Sequence, residues 1–210
     1  NLLKLNIVKK AFSKIKKKPK LIICSAVLSQ NFKNKNQYKK NILIINNIVK
    51  SIDKKKVNKI IFLSSVDVYS KSKNIRINEK TIPEPKTLYG KSKILSEKIL
   101  FNFCSNIPLL VLRLPGVYGY GDKFNSTIGK FITQAFNNRK IYVSKGGEER
   151  RDYLYIEDLI FLIKKLINRD ITGILNIVTG KSVKIIKVVK EIGSILEAEF
   201  ELIPLTKKNK

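Results

Sequence analysis

The chain has 210 residues, of which 43% are hydrophobic and 28% charged. That is enough for a sizeable core, and too apolar for a disordered segment. The net charge is +27, but the lysines are spread along the chain with no nucleic-acid motif around them, so the excess reads as compositional bias and no nucleic-acid partner is expected. The lack of His excludes a His-based metal site or triad, and no apolar run nears the roughly 20 residues of a membrane span. Cys24 and Cys104 lack ligand spacing; they read as reduced, buried thiols of a cytoplasmic protein.

In chain order, residues 2–17 place Leu2, Leu3, Leu5, Val8, Phe12 and Ile15 on one helical face. Pro19 ends that helix, and Leu21-Ile22-Ile23-Cys24 predicts a buried strand with small residues, Ser25 and Ala26, at its end. Residues 41–54 are apolar at helical spacing. Ile60-Ile61-Phe62-Leu63 predicts a second buried strand ending in Ser64-Ser65. A polar loop leads to a helix over Leu88 to Phe103, and Leu109 to Arg113 is a third strand. These strands are continuous apolar runs, as expected when both faces of a parallel sheet are covered.

After Pro115 the chain becomes glycine-rich. Helices are predicted over 126–138, 156–168 and 183–196, with short strands at 141–143, 153–155, 174–178 and 200–203. The fold class is therefore α/β, with a partial parallel sheet of Rossmann type, helices on both its faces, and a small second lobe. The expected division is 1–118 with 153–180 for the first domain, and 119–152 with 181–210 for the lobe.

Tyr89 and Lys93 stand at i, i+4 on a helix and share a face. A phenol is a poor base at neutral pH, and a nearby ammonium is expected to lower its pKa. Ser65, at the end of an adjacent strand, can donate to the same reacting oxygen. Together they can move a proton while hydride leaves a carbon for a nicotinamide. A second Tyr-x-x-x-Lys, Tyr69 with Lys73, follows the strand directly in a polar loop and reads as chance in a lysine-rich chain.

The ordered segments resemble the extended short-chain dehydrogenase/reductase family, the NAD-dependent nucleotide-sugar epimerases and dehydratases. Leu21 to Ala26 resembles its fourth strand, with Cys24 where His is frequent. Asn41 resembles its helix-start Asn. Ser64-Ser65-Val66-Asp67-Val68-Tyr69 resembles its Ser-Ser-x-x-Val-Tyr-Gly, with Ser70 in place of Gly. Glu79 and Pro85 precede Tyr89 and Lys93, and Glu97 follows. Leu112 to Gly119 and Gly147 to Asp158 resemble two further family segments.

The resemblance implies Tyr89 as catalytic base, Lys93 as ribose holder and tuner of Tyr89, and Ser65 as the group polarising the reacting oxygen. It implies NAD or NADP as cofactor, with Ser25, Ala26, Ser64, Tyr89, Lys93 and Pro115 around it. It places Arg151 on the diphosphate of a nucleotide-sugar substrate, gives metal no role, and implies a homodimer at full length. The activity is that of an epimerase, dehydratase or reductase, an isomerase, lyase or oxidoreductase in class; the first alternative is a non-catalytic or decayed relative, and the second, less favoured, a basic nucleic-acid-binding protein.

Asp67 takes one of two positions where the family's 4,6-dehydratases carry the acid or base for water loss. Val66 takes the other, which argues against the dTDP-glucose type and leaves the GDP-mannose type open. The competing reading of Asp67 is a loop carboxylate bonding backbone. Asp152 and Asp158 read as structural, and Arg113 as an anchor at the sheet's edge. No Gly-rich turn precedes residue 65, and no Met is present, so the sequence is expected to be a fragment. The family's glycine loop and first strands would lie upstream. Leu21 to Cys24 would then be an apolar edge, and these 210 residues alone are expected to be unstable and not to bind NAD.

Overall fold

A computed structural model describes residues 1–16, 19–24, 34–72, 76–122 and 126–203. The chain forms two compact units, Asn1–Leu114 with Leu162–Ile177, and Pro115–Phe161 with Val178–Lys210.

In the first unit, α1 (Leu5–Ser13) leads to β1 (Lys20–Ile23), α2 (Lys35–Val49), β2 (Lys59–Ser65), α3 (Leu88–Phe103) and β3 (Leu109–Leu114). A fourth strand, named β8 below, spans Gly173–Asn176. The sheet order is β1-β2-β3-β8, all parallel. The register pairs Ile60 with Leu109, Phe62 with Val111 and Ser64 with Arg113. The period of two then turns all six toward one face. The apolar four meet Val8 of α1, Ile44, Ile45 and Ile48 of α2, and Leu100 of α3 in one core. Each such side chain contributes roughly 1.5–3 kcal/mol by leaving water. Ile61, Leu110 and Leu112, on the opposite face, are equally buried. Burial on both faces explains why the strands read as continuous apolar runs.

Several expectations shift. α1 is shorter than 2–17. α2 begins at Lys35 rather than 41, because Asn34 and Gln37 form a reciprocal capping box. Asn41 is consequently not at a helix start; it is buried within α2 and donates to Ser92 Oγ on α3 at 3.1 Å. Cys104 is buried, whereas Cys24 is exposed just past the end of β1, one of the two outer strands of the sheet among the described residues. Lys59 starts β2 and is buried; its ammonium donates to the carbonyls of Leu166 (3.0 Å) and Arg169 (2.5 Å).

The second unit holds β4 (Gly116–Tyr118), α4 (Thr127–Asn138), β5 (Lys140–Ser144), β6 (Arg150–Arg151) and β7 (Tyr153–Tyr155). The helix α5 (Ile156–Leu166) follows; β8 then belongs to the first unit, and β9 (Val183–Lys184), α6 (Ile185–Leu196) and β10 (Glu199–Ile203) return to the second. Parallel pairs β4–β7 and β5–β10 and an antiparallel pair β6–β9 organise it. Its core joins Ile128, Phe131 and Ala135 of α4 to Ile141 and Val143 of β5 and to Ile185, Val189 and Ile192 of α6. The short pairs β4–β7 and β6–β9 carry too few residues to show a period in the sequence. The Asp152 carboxylate accepts from Thr179 N (3.0 Å), Thr179 Oγ1 (2.7 Å) and Gly180 N (3.1 Å), the structural role expected of it.

Candidate active site

A parallel sheet sends every strand's carboxyl end to one edge, and the first unit's candidate residues gather there. Ser65 is the last residue of β2 and caps the following 3-10 turn, Val66–Tyr69, by accepting from Asp67 N at 3.2 Å. Thr87 caps α3, accepting from Gly90 N at 2.9 Å, and donates to Asp67 Oδ2 at 3.0 Å. One hydroxyl thus ties the start of α3 to the turn after β2. Asp67 uses its carboxylate on this side chain rather than on backbone. Gly90 allows the close approach, since a Cβ there would stand 2.6 Å from the Asp67 carbonyl oxygen.

This contact sets Tyr89 near Ser65, whose hydroxyl acts to lower the Tyr89 pKa. Lys93 follows one helical turn later. It is 4% exposed, and its ammonium donates to the Leu63 carbonyl at 2.8 Å. It also lies 5.0 Å from the Phe62 ring centroid and 5.6 Å from that of Tyr89. Ser65, Tyr89 and Lys93, separate in sequence, are brought together.

The electrostatics differ from expectation in one respect. Burial, and then the Asp67 charge, push the Tyr89 phenol up to about 12, against the opposing effect of Ser65. Burial pulls Lys93 down to about 8, although Glu97 and Cys24 oppose it. The expected lowering of Tyr89 by Lys93 is not seen. The ammonium is engaged with a backbone carbonyl, and desolvation of the phenolate prevails. Tyr89 here is a neutral phenol, ready to donate a proton. To accept one near neutral pH it needs a cation brought closer.

The other candidates are dispersed. Ser25 and Ala26 lie outside the described residues, as does Lys73 of the second Tyr-x-x-x-Lys. Ser64 points to α3, where its hydroxyl donates to Glu97 Oε1 at 2.5 Å. Pro115 stands between β3 and β4. In the second unit, half-exposed Arg151 on β6 pairs with Glu149 at 3.1 Å. Among the described residues no cluster of His, Cys, Asp or Glu could hold a metal, and no helix is long and apolar enough to cross a membrane.

A buried polar network was not foreseen from the sequence. Arg113 and Glu97, each 2% exposed, form a two-pronged pair, Nε to Oε1 at 3.2 Å and Nη2 to Oε2 at 2.6 Å. Arg113 Nη1 donates to the Tyr69 hydroxyl at 2.5 Å, which donates in turn to Asn176 Oδ1 at 3.1 Å on β8. Arg113 lies in β3, flanked by β2 and β8, and anchors α3 rather than an edge. Burial disfavours its cation, but the hydrogen bonds and charge of Glu97, with Tyr69, more than offset this and leave its pKa raised. The signal that could have exposed the network was Arg113 itself, a charge inside an otherwise apolar strand.

A parallel sheet carrying a Ser, Tyr and Lys at its carboxyl edge describes a class of proteins rather than one of them, and comparison narrows the class. The family model "NAD dependent epimerase/dehydratase family" matches residues 1–177. The chain therefore belongs to the NAD-dependent epimerase/dehydratase family. It is 27% identical over 166 residues to dTDP-D-glucose 4,6-dehydratase of Dictyostelium discoideum, covering 72% of this chain and 38% of that protein. It is 29% identical over 151 residues to a putative UDP-glucose 4-epimerase of Methanocaldococcus jannaschii, covering 69% of this chain and 49% of that protein. The chain thus spans less than half the length of these two relatives.

Among solved structures, the UDP-glucose 4-epimerase of Thermotoga maritima superposes with a TM-score of 0.84 at 21% identity, over 99% of this chain and 71% of that one. The dTDP-glucose 4,6-dehydratase of Bacillus anthracis, solved with NAD, gives 0.83 at 19% identity, over 98% and 66%. These likenesses establish the α/β fold.

Proposed function

We propose that the whole protein carrying this chain is a nucleotide-sugar epimerase or dehydratase that works by hydride transfer at a sugar carbon. The observation that carries this reading is the meeting of Ser65, Tyr89 and Lys93 at the carboxyl edge of the sheet. It is supported by family membership and by relatives named for dTDP- and UDP-sugars.

The donor set fits the nicotinamide-ribose end of NAD or NADP. The Lys93 ammonium has three N–H donors and uses one on Leu63, which leaves two for ribose hydroxyls. Bound, the dinucleotide supplies the acceptor and later the donor of the hydride. Tyr89 exchanges the proton of the reacting sugar oxygen, and Ser65 donates a hydrogen bond to that oxygen. The raised pKa keeps Tyr89 protonated until a cation touches it, and an ammonium moved into contact lowers that pKa toward the range useful for proton exchange.

The second unit is assigned the substrate-binding role. Arg151 is its candidate for the substrate diphosphate, since a guanidinium fork matches two phosphate oxygens. Its pair with Glu149 is half-exposed, so an incoming diphosphate displaces it at little cost.

Incubating the whole protein with UDP-, dTDP- and GDP-hexoses tests the reading. A product of unchanged mass marks an epimerase, and one lighter by a water marks a dehydratase. Conversion of none of them overturns it. In the dehydratase case Asp67→Asn is expected to slow water loss about a hundredfold and to leave hydride transfer intact. Equal loss of both steps would make Asp67 a structural link to Thr87 instead.

A further inference from the structure

Lys93 and Glu97 are four residues apart on α3, the spacing at which a helix brings a lysine and a carboxylate together. They do not pair. Both carboxylate oxygens of Glu97 are held by Arg113, and Oε1 also accepts from Ser64. Lys93 donates to the Leu63 carbonyl instead. The register that sets Ser64 beside Arg113 aims both at Glu97. Arg113 is held from its other side by the Tyr69 hydroxyl and lies 4.9 Å from the centroid of that ring. A fork fixed on two sides competes well against the flexible point charge of a lysine.

We infer that Arg113 is a positioning residue for the Tyr89–Lys93 site: by occupying both oxygens of Glu97 it keeps that carboxylate from capturing the Lys93 ammonium, which stays at the sheet edge facing Tyr89. The inference deepens the proposed function and rests on its assignment of Lys93. The ionisable groups whose charges act on Lys93 are Glu97 on its own helix and Cys24 beyond β1, with Tyr89 alongside. Those on Glu97 are Lys93 and Arg113.

The test is the titration of Lys93 in protein carrying 13C-labelled lysine. Its signal is assigned by its loss in Lys93→Arg and stands apart because its midpoint, about 8, is below that of ordinary lysines. Arg113→Lys keeps a buried cation but cannot hold both oxygens, and Arg113→Met holds neither. Whichever of them folds is expected to raise the Lys93 midpoint by about one unit or more, as a newly paired carboxylate does. Adding Glu97→Gln to Arg113→Met removes the competing charge, and the midpoint should return to the wild-type value or below.

A midpoint unmoved in a folded Arg113 variant overturns the inference, as does one that stays raised in the double variant. A merely structural pair would alter unfolding without this rise and return. The readout needs no turnover. If Tyr89→Phe kept full activity, the catalytic reading would fall while the titration still decided the role of Arg113.

Discussion

Tyr89→Phe is expected to lower kcat of the whole protein by about a hundredfold to ten-thousandfold, the usual worth of a positioned acid–base group. Removing the hydroxyl deletes the proton carrier and leaves the ring beside Lys93. Folding and dinucleotide affinity should therefore change little. The check is steady-state turnover together with cofactor titration on the same preparation. Unchanged turnover would remove Tyr89 from the chemistry. A parallel loss of cofactor binding would make its role one of binding.

Glu97→Ala is expected to be the most damaging substitution for stability, at about 3–5 kcal/mol. It strands the Arg113 guanidinium at 2% exposure without its counter-charge, and it removes the acceptor of the Ser64 hydroxyl. The gain from the pair itself is smaller than this loss, because both charges were desolvated to form it. Urea unfolding of the variant against wild type measures the effect. A difference under about 0.5 kcal/mol, the range of ordinary surface substitutions, would contradict a buried pair.

The path from sequence to site was uneven for physical reasons. Ile60 to Leu63 is a continuous apolar run, and burial on both faces of the sheet leaves that signature. Tyr89 and Lys93 share a face by helical spacing, but Tyr69 and Lys73 have the same spacing, so it was Ser65 and the ordered family segments that singled the pair out. Ser65 was readable as a hydroxyl at a strand's end.

The same spacing rule misleads at Glu97. It predicts a pair with Lys93, whereas the sheet register delivers Arg113 from another strand. Such a partner depends on tertiary placement, which sequence distance does not encode. The state of Tyr89 was missed likewise: the pull of Lys93 was anticipated, but the desolvation that outweighs it exists only once the core closes. At α2, apolar periodicity pointed to residue 41, while the true start lies in the polar capping box of Asn34 and Gln37.

Ser65, Tyr89 and Lys93 are proposed to serve hydride transfer to a dinucleotide. The most direct test mixes the whole protein with a nucleotide sugar deuterated at its ring carbons and quenches it within one turnover. The cofactor is then weighed by mass spectrometry. Deuterium is expected on the nicotinamide before product accumulates, and Tyr89→Phe should abolish it. Product forming while the cofactor never carries deuterium would contradict the account.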